Sequence, residues 1–202
     1  TNGFYLPFKQ DYTVEGFSAV TWSGNSTTSH YIGGVGFQPD LVWIKQRGPG
    51  AQDHNLYDSV RGPNQKLKSN ETDAEFSDTN ALTAFNTDGF TVSDDDQVND
   101  TGDTYVAWNW DMGANTPTGF GCVTYEGNGG TQDIGNVGFQ PDLIWLKPRD
   151  RVDNNVLVDS IRGHDKTLYS NADNAEGTRS SNDGVTKFSP DGFGIGGWNN
   201  IN

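Results

Sequence analysis

The sequence predicts an all-β fold: two tandem antiparallel β-sandwich repeats of jelly-roll or lectin-like type, the second incomplete at its C-terminus. Three observations lead there. Short apolar runs, mostly β-branched or aromatic, are separated by Gly, Asn, Asp and Thr, and the 202 residues include 26 Gly, 11 Phe, 7 Tyr and 6 Trp. That pattern favours strands joined by many turns. No long stretch keeps a 3.6-residue apolar period, so helices are not expected. Finally, "VGFQPDLVWIKQRG" from Val35 returns as "VGFQPDLIWLKPRD" from Val137.

The return is one of five anchors that recur in the same order. Gly16-Phe17 match Gly119-Phe120, and Val35 to Leu41 match Val137 to Leu143. "DSVRG" at Asp58 matches "DSIRG" at Asp159, Ser69-Asn70 match Ser170-Asn171, and "DGF" around Gly89 matches "DGF" around Gly192. A duplicated unit of roughly a hundred residues accounts for this. The expected organisation is an extended N-terminal segment (1–13), a first repeat (14–113) and a second repeat (114–202).

Each shared piece has a physical reading. In "GFQPD", Pro fixes φ and forces the preceding Gln to be extended. "LVWIK" and "LIWLK" then run apolar for four residues, as a central strand covered on both faces does; a strand with one aromatic and one aliphatic face fits equally. "DGF" is a tight turn whose Gly tolerates positive φ, after which Phe90 or Phe193 re-enters the core. "TYVAWNW" from Thr104 alternates Tyr105, Ala107 and Asn109 against Val106, Trp108 and Trp110, so it is a strand near the end of repeat one. Repeat two ends in "GFGIGGWNNIN" with no counterpart of that strand. A sheet missing one strand exposes unpaired backbone groups and part of its core. The apolar "NGFYLPF", through Phe4, Tyr5, Leu6 and Phe8, is a candidate donor to that gap in the same or a neighbouring copy. A plain tail is the competing reading.

Charge and chemistry narrow the function. The formal net charge is −14, which disfavours phosphate-rich partners, so neither nucleic-acid binding nor attachment to an anionic membrane is expected. No apolar run reaches the roughly 20 residues needed to cross a bilayer as a helix, and no signal peptide opens the chain. Cys122, the single cysteine, is read as a buried structural thiol on a strand in "FGCVTYEG". P-loop, HExxH and CxxC patterns do not occur, and no GxSxG elbow supports a triad drawn from Ser59, His54 and Asp58. His30, His54 and His164 have no metal-ligand spacing and are read as surface or loop residues. No cofactor is expected.

Two weaker candidates remain. Asp94, Asp95, Asp96, Asp100 and Asp103 crowd a turn between two strands, where oxygen ligands at such density can hold Ca²⁺; a solvated loop is the plainer reading. Trp22, Tyr57 and Trp198, with Arg61 and Arg162, are candidates for stacking on and binding sugars, against core filling by the aromatics. Each Arg follows an Asp by three residues, so an internal ion pair bracing a turn is the economical account of Arg61 and Arg162. Lys45 and Lys147 close the apolar strands.

"VGFQPDLVWIK", "DSVRG", "DGFTV" and "GDTYVAWNW" together resemble a domain found in tail and other virion structural proteins of marine bacteriophages. That domain usually occurs in tandem and has no assigned enzymatic activity. "TNGFYLPF" looks like the segment that closes a preceding lectin-like or linker region in such proteins. The resemblance covers nearly all of residues 14–202. It implies an all-β module on a virus particle or extracellular assembly, in contact with host-surface glycans; the shortened second repeat departs from the usual pattern. The expected function is a non-enzymatic building block of a virion or extracellular filament, self-associating by strand complementation. A carbohydrate- or receptor-binding module is the alternative, and a glycan-degrading enzyme the third.

Overall fold

The alternating residues of "TYVAWNW" form the centre of the first repeat. The computed structural model describes residues 16–50, 52–113 and 119–202. Repeat one runs through β1 (Phe17–Ser23), β2 (His30–Gly33), β3 (Leu41–Gln46), β4 (Asn55–Asp58), β5 (Gln65–Lys68), β6 (Phe76–Ser77), β7 (Leu82–Asn86), β8 (Gly89–Val92), a one-turn helix α1 (Asp96–Asn99) and β9 (Thr104–Trp110). One sheet has the order β1-β9-β3-β4-β5-β6 and a smaller one the order β2-β8-β7. Every pairing is antiparallel.

The last strand of the repeat is therefore inserted between its first and third. Tyr105, Ala107 and Asn109 on β9 are fully buried, as the period-two pattern requires. Tyr105 and Ala107 join Trp22, Val42, Ile44 and Tyr57 of the large sheet, and Ile32, Leu82, Phe90 and Val92 of the small one, in a single buried cluster. "LVWIK" is the central strand expected, paired with β9 on one side and β4 on the other.

Repeat two follows with β10 (Gln132–Ile134), β11 (Leu143–Leu146), β12 (Val156–Asp159), β13 (Lys166–Tyr169), β14 (Gly177–Thr178), β15 (Val185–Ser189) and β16 (Gly192–Ile195). Its sheets have the orders β11-β12-β13-β14 and β10-β16-β15, the same sequence of neighbours as β3-β4-β5-β6 and β2-β8-β7. A second core joins them through Ile144, Val156, Val158, Phe193 and Ile195. The described chain is thus nearly all β, in antiparallel sheets none of which closes among the described residues.

The DGF turn shows why the repeated glycine is needed. Gly89 and Gly192 have φ of 146° and 152°, and a Cβ at either would run into the carbonyl oxygen of Ile32 or Ile134 on the paired strand. The preceding aspartates clamp the facing loop. Asp88 accepts from the backbone N–H of Gly34 (3.1 Å) and Gly36 (2.6 Å), and Asp191 from Asn136 (3.1 Å) and Gly138 (2.7 Å).

Two local expectations change. The acidic turn carries α1, N-capped by the Asp95 carboxylate, which accepts from the Gln97 N–H at 2.7 Å. The Cys122 segment forms no strand: residues 121–128 carry no ladder, because no described strand lies beside them to pair with. The thiol is half-buried, and burial pushes its pKa up to about 12, away from the range of activated thiols.

Candidate functional site

In repeat one, each β9 residue from Tyr105 to Trp110 has two partners. Trp110 faces Phe17 on β1 and Leu41 on β3, Trp108 faces Ala19 and Trp43, and Ala107 faces Val20 and Ile44. The same residues of repeat two can be located without reference to a strand. Trp22 donates from Nε1 to the Val98 carbonyl at 3.0 Å and packs edge-on against Phe90 at 5.7 Å. Tyr125 donates from its hydroxyl to the Ile201 carbonyl at 2.6 Å and packs edge-on against Phe193 at 6.5 Å. Asn99 Oδ1 accepts from the Asn25 N–H (3.1 Å), and Asn202 Oδ1 accepts from the Asn128 N–H (2.6 Å). The segment around Tyr125 therefore occupies the place of β1. Among the described residues nothing occupies the place of β9.

The consequence is visible on β11. Among the described strands it pairs with β12 alone, so its other edge has no strand partner among the described residues. Leu143 is 62% exposed, whereas its counterpart Leu41 is partly covered opposite Trp110. Ile161, in the DSIRG turn, is 93% exposed against 42% for Val60. Trp110 stacks on Phe120 with ring centroids 6.0 Å apart.

A second feature joins the repeats. Trp43 packs against Trp108 (5.3 Å), against Trp145 of repeat two (5.7 Å) and against His54 (5.8 Å). Asn155, which stands in repeat two where His54 stands in repeat one, donates from Nδ2 to the carbonyls of Lys68 (3.2 Å) and Glu71 (2.9 Å). Ser170 Oγ donates to the Ser69 carbonyl at 2.7 Å, and Lys147 Nζ to the Thr72 carbonyl at 3.1 Å. Arg149 grips Glu75 through two bonds of 2.7 and 3.0 Å. His54 makes no such reach: its Nδ1 and the Nε1 of Trp43 are buried with no hydrogen-bond partner among the described residues. Those two residues, with Ser69, Asn70, Trp145 and Ser170, line a cavity of about 130 Å³.

Charge follows geometry at this seam. Burial raises the Glu75 pKa, but the hydrogen bonds from Arg149 and Arg61 outweigh it and hold the carboxyl below its usual range. Burial, helped by the nearby Lys45 ammonium, lowers the His54 pKa. Burial lowers that of Lys147 too.

The residues singled out from the sequence lie as follows. Tyr57 has no exposed surface and Trp22 is 9% exposed; both are core residues and offer no face to a ligand. Trp198 is covered by the Arg179 guanidinium at 3.6 Å. Arg61 binds Asp58 (2.5 Å) and Glu75 (2.9 Å), and Arg162 binds Asp159 (2.6 Å) and Glu176 (3.2 Å). These are turn braces, with a glutamate added to the pair that spacing alone indicates. Lys45 donates to the Gln52 carbonyl within its own repeat. The five aspartates do not converge: Asp95 caps α1 and lies 3.6 Å from Lys66, Asp96 accepts from Gln52, Asp100 from Ser26, Asp103 from Gln46, and Asp94 from Ser93. Among the described residues no group of three or more His, Cys, Asp or Glu is placed to hold a metal ion. His30 bonds Asn99 and His164 the Val185 carbonyl, while His54, half-buried in the loop before β4, lies in the seam. Phe4, Tyr5, Leu6 and Phe8 lie outside the described residues. No described helix is long and apolar enough to cross a membrane.

The β11 edge is the gap expected from the sequence, whereas the seam does not stand out there; its signal is Trp43 and Trp145 at matching positions.

One family model matches the chain twice, over residues 13–120 and 117–202; it is described as Domain of unknown function (DUF7483). No curated protein and no solved structure matches the chain.

Proposed function

The chain belongs to the DUF7483 family, which it contains in two copies, and we propose that it is a non-enzymatic building block of a virion or extracellular assembly. Each repeat, in this reading, is a β-sandwich whose large and small sheets enclose one core, and copies associate by strand complementation. The observation that carries the reading is the β11 edge, left unpaired among the described strands beside an exposed Leu143. Such an edge promotes association with other chains unless it is filled. The hydrogen-bonded seam between repeats suits a load-bearing part, and the resemblance to virion proteins adds the setting.

Light scattering after size exclusion, with intact-chain mass spectrometry, tests this. Multimers or filaments of 22.0 kDa chains support it. A monomer at all concentrations overturns it.

A second reading, binding of host-surface glycans, is favoured by the seam cavity. Its walls include the Trp43 and Trp145 rings, which suit stacking on one sugar ring. Saturable binding on a glycan array that Trp145→Ala abolishes supports that reading; no binding removes it.

A further inference from the structure

The buried cluster around Lys66 brings together the parts of a condensation. We infer that Lys66 and Asp78 join in an intramolecular amide bond, Nζ to Cγ, with the Asp95 carboxyl relaying the protons. This is a single self-modification of the folded chain, and it stands independently of the assembly reading.

The three groups touch. Lys66 on β5 is 1% exposed, and its Nζ donates directly to Asp78 Oδ2, so Cγ lies one bond beyond the contact. Asp78 is fixed from its other oxygen by the Asn80 N–H at 3.1 Å. Asp95 Oδ2 lies 3.6 Å from the same Nζ, while its Oδ1 is held by the Gln97 N–H at the start of α1. The Phe76 ring covers Nζ at 4.8 Å from its centroid. Fully buried Tyr57 brings a neutral phenol near both carboxyls; burial first, then the charges of Asp95 and Asp78, raise its pKa. The two carboxyls also differ. Burial raises the Asp95 pKa and keeps it above the usual range in spite of Lys66. Burial acts on Asp78 too, but the hydrogen bond and charge of Lys66 outweigh it and hold that carboxyl below the range. Asp95 is thus the proton carrier and Asp78 the group attacked.

The step balances without a co-reactant. Lys66 Nζ gives one proton to the Asp78 carboxylate, and its freed lone pair attacks Cγ. Asp95 protonates the carbonyl oxygen and takes a second proton from Nζ. The C–O bond then breaks as Asp95 relays a proton from the remaining hydroxyl to the leaving one. Ammonium and carboxylate become a neutral amide and one water, and Asp95 ends as it began. Such a condensation is uphill in open water. Here contact removes the cost of bringing the groups together, and a neutral amide replaces buried charges whose desolvation is costly.

Other parts of the chain lack this combination. Lys68 also meets two aspartates, Asp53 at 2.8 Å and Asp73 at 2.9 Å, but Asp73 is 51% exposed and water reaches the pair. Repeat two carries Thr167, Arg179 and Trp198 at the three places and has nothing to condense. The bond would also act on the seam. It closes residues 66–78 into a ring that contains the Lys68, Glu71 and Thr72 carbonyls and the Glu75 carboxylate, all gripped by repeat two. β5 and β6 are paired through Gln65–Ser77 and Lys66–Phe76. A covalent link beside these pairs holds the sheet edge that bears the seam.

Mass spectrometry of the full 202-residue chain, intact and after trypsin, tests the inference. The intact mass is expected to be one water below the sequence mass. Trypsin should fail at Lys66, and the peptide 62–68 should stay joined to the peptide that begins at Ser69. The joined pair decides, because a succinimide at an Asp-Gly step also loses one water. Asp78→Ala should keep the full mass. Asp95→Asn, followed beside the unaltered chain after refolding from inclusion bodies, should close at least about a hundredfold more slowly. An unaltered chain that keeps its full mass and free peptides after prolonged incubation overturns the inference. A joined pair that maps to Asp95 or to another lysine does the same, and an Asp95→Asn chain that closes at the unaltered rate overturns the relay.

Discussion

Repeat one and repeat two solve the same packing problem with different sets of described strands. Both fold a four-strand run, β3 to β6 or β11 to β14, against a three-strand sheet of identical order. Among the described residues only repeat one has the inserted β9, and it alone has the helix that leads into it. The difference shows what β9 does. Where it is present, Leu41 is covered, Trp43 gains Trp108 as a neighbour and the β1 segment becomes a ladder-bonded strand. Where it is absent, the matching segment keeps its anchor, Tyr125, and loses its ladder. Side-chain packing therefore places that segment, and pairing only regularises it.

The helix region makes the contrast chemical. In repeat one Lys66, 1% exposed, is held by Asp78 and by Asp95 at the α1 cap. At the matching places repeat two carries Thr167, Arg179 and Trp198, and the buried ion cluster is replaced by a buried hydroxyl and a guanidinium stacked on an indole. Lys66→Ala should have the largest effect of any single substitution that separates the repeats. It leaves two carboxylates facing each other without their cation and should cost about 3–5 kcal/mol, read by urea unfolding. A loss under about 1 kcal/mol, the scale of an exposed pair, would mean that the cluster is not buried in solution.

The seam offers a comparison of intermediate size. Asn155 and His54 hold the same register position, but only Asn155 reaches across to the other repeat. Asn155→Ala leaves two carbonyls without their donor and should cost about 1–3 kcal/mol. His54→Ala loses no hydrogen bond made by the imidazole across the seam and should cost distinctly less. Equal losses would show that the seam is symmetric in solution.

The smallest effect is in pH. The folded His54 pKa is lowered, so its contribution to stability is complete above the unfolded value of about 6.5 and is lost as pH falls through the lower folded value. Glu75 behaves alike from about 4.3 downwards, since its folded pKa is also lowered. Thermal unfolding should weaken in two steps on acidification. His54→Asn, which places repeat two's residue in repeat one, should abolish the upper step alone. An unchanged upper step would assign it to another group.

Much of this architecture is legible in the sequence because it is written twice. The repeat, the DGF turn and the central "LVWIK" strand follow from matched positions, and "TYVAWNW" as a strand follows from a period of two, though not which of its faces is buried. What fails to show is direction. Trp22 and Tyr57 are candidates for ligand contact by residue type, yet both point into the core, because a strand's facing is set by neighbours far along the chain. The Asp58–Arg61 brace is visible at a spacing of three; its third member, Glu75, lies across the β5–β6 hairpin. The five aspartates look like a cluster only in one dimension. α1 and adjacent strands send them to separate partners. The seam is least visible, since His54 and Asn155 differ in identity and their difference is what shapes it.

The most direct test of the central claim is amide exchange on the chain diluted until it is monomeric, comparing Leu41–Gln46 with Leu143–Leu146. The β11 amides that point away from β12 should exchange at least about a hundredfold faster than their β3 counterparts, because β9 covers only the latter. Equal protection of the two segments would mean that the second repeat has no open strand position, and strand complementation at β11 would be ruled out.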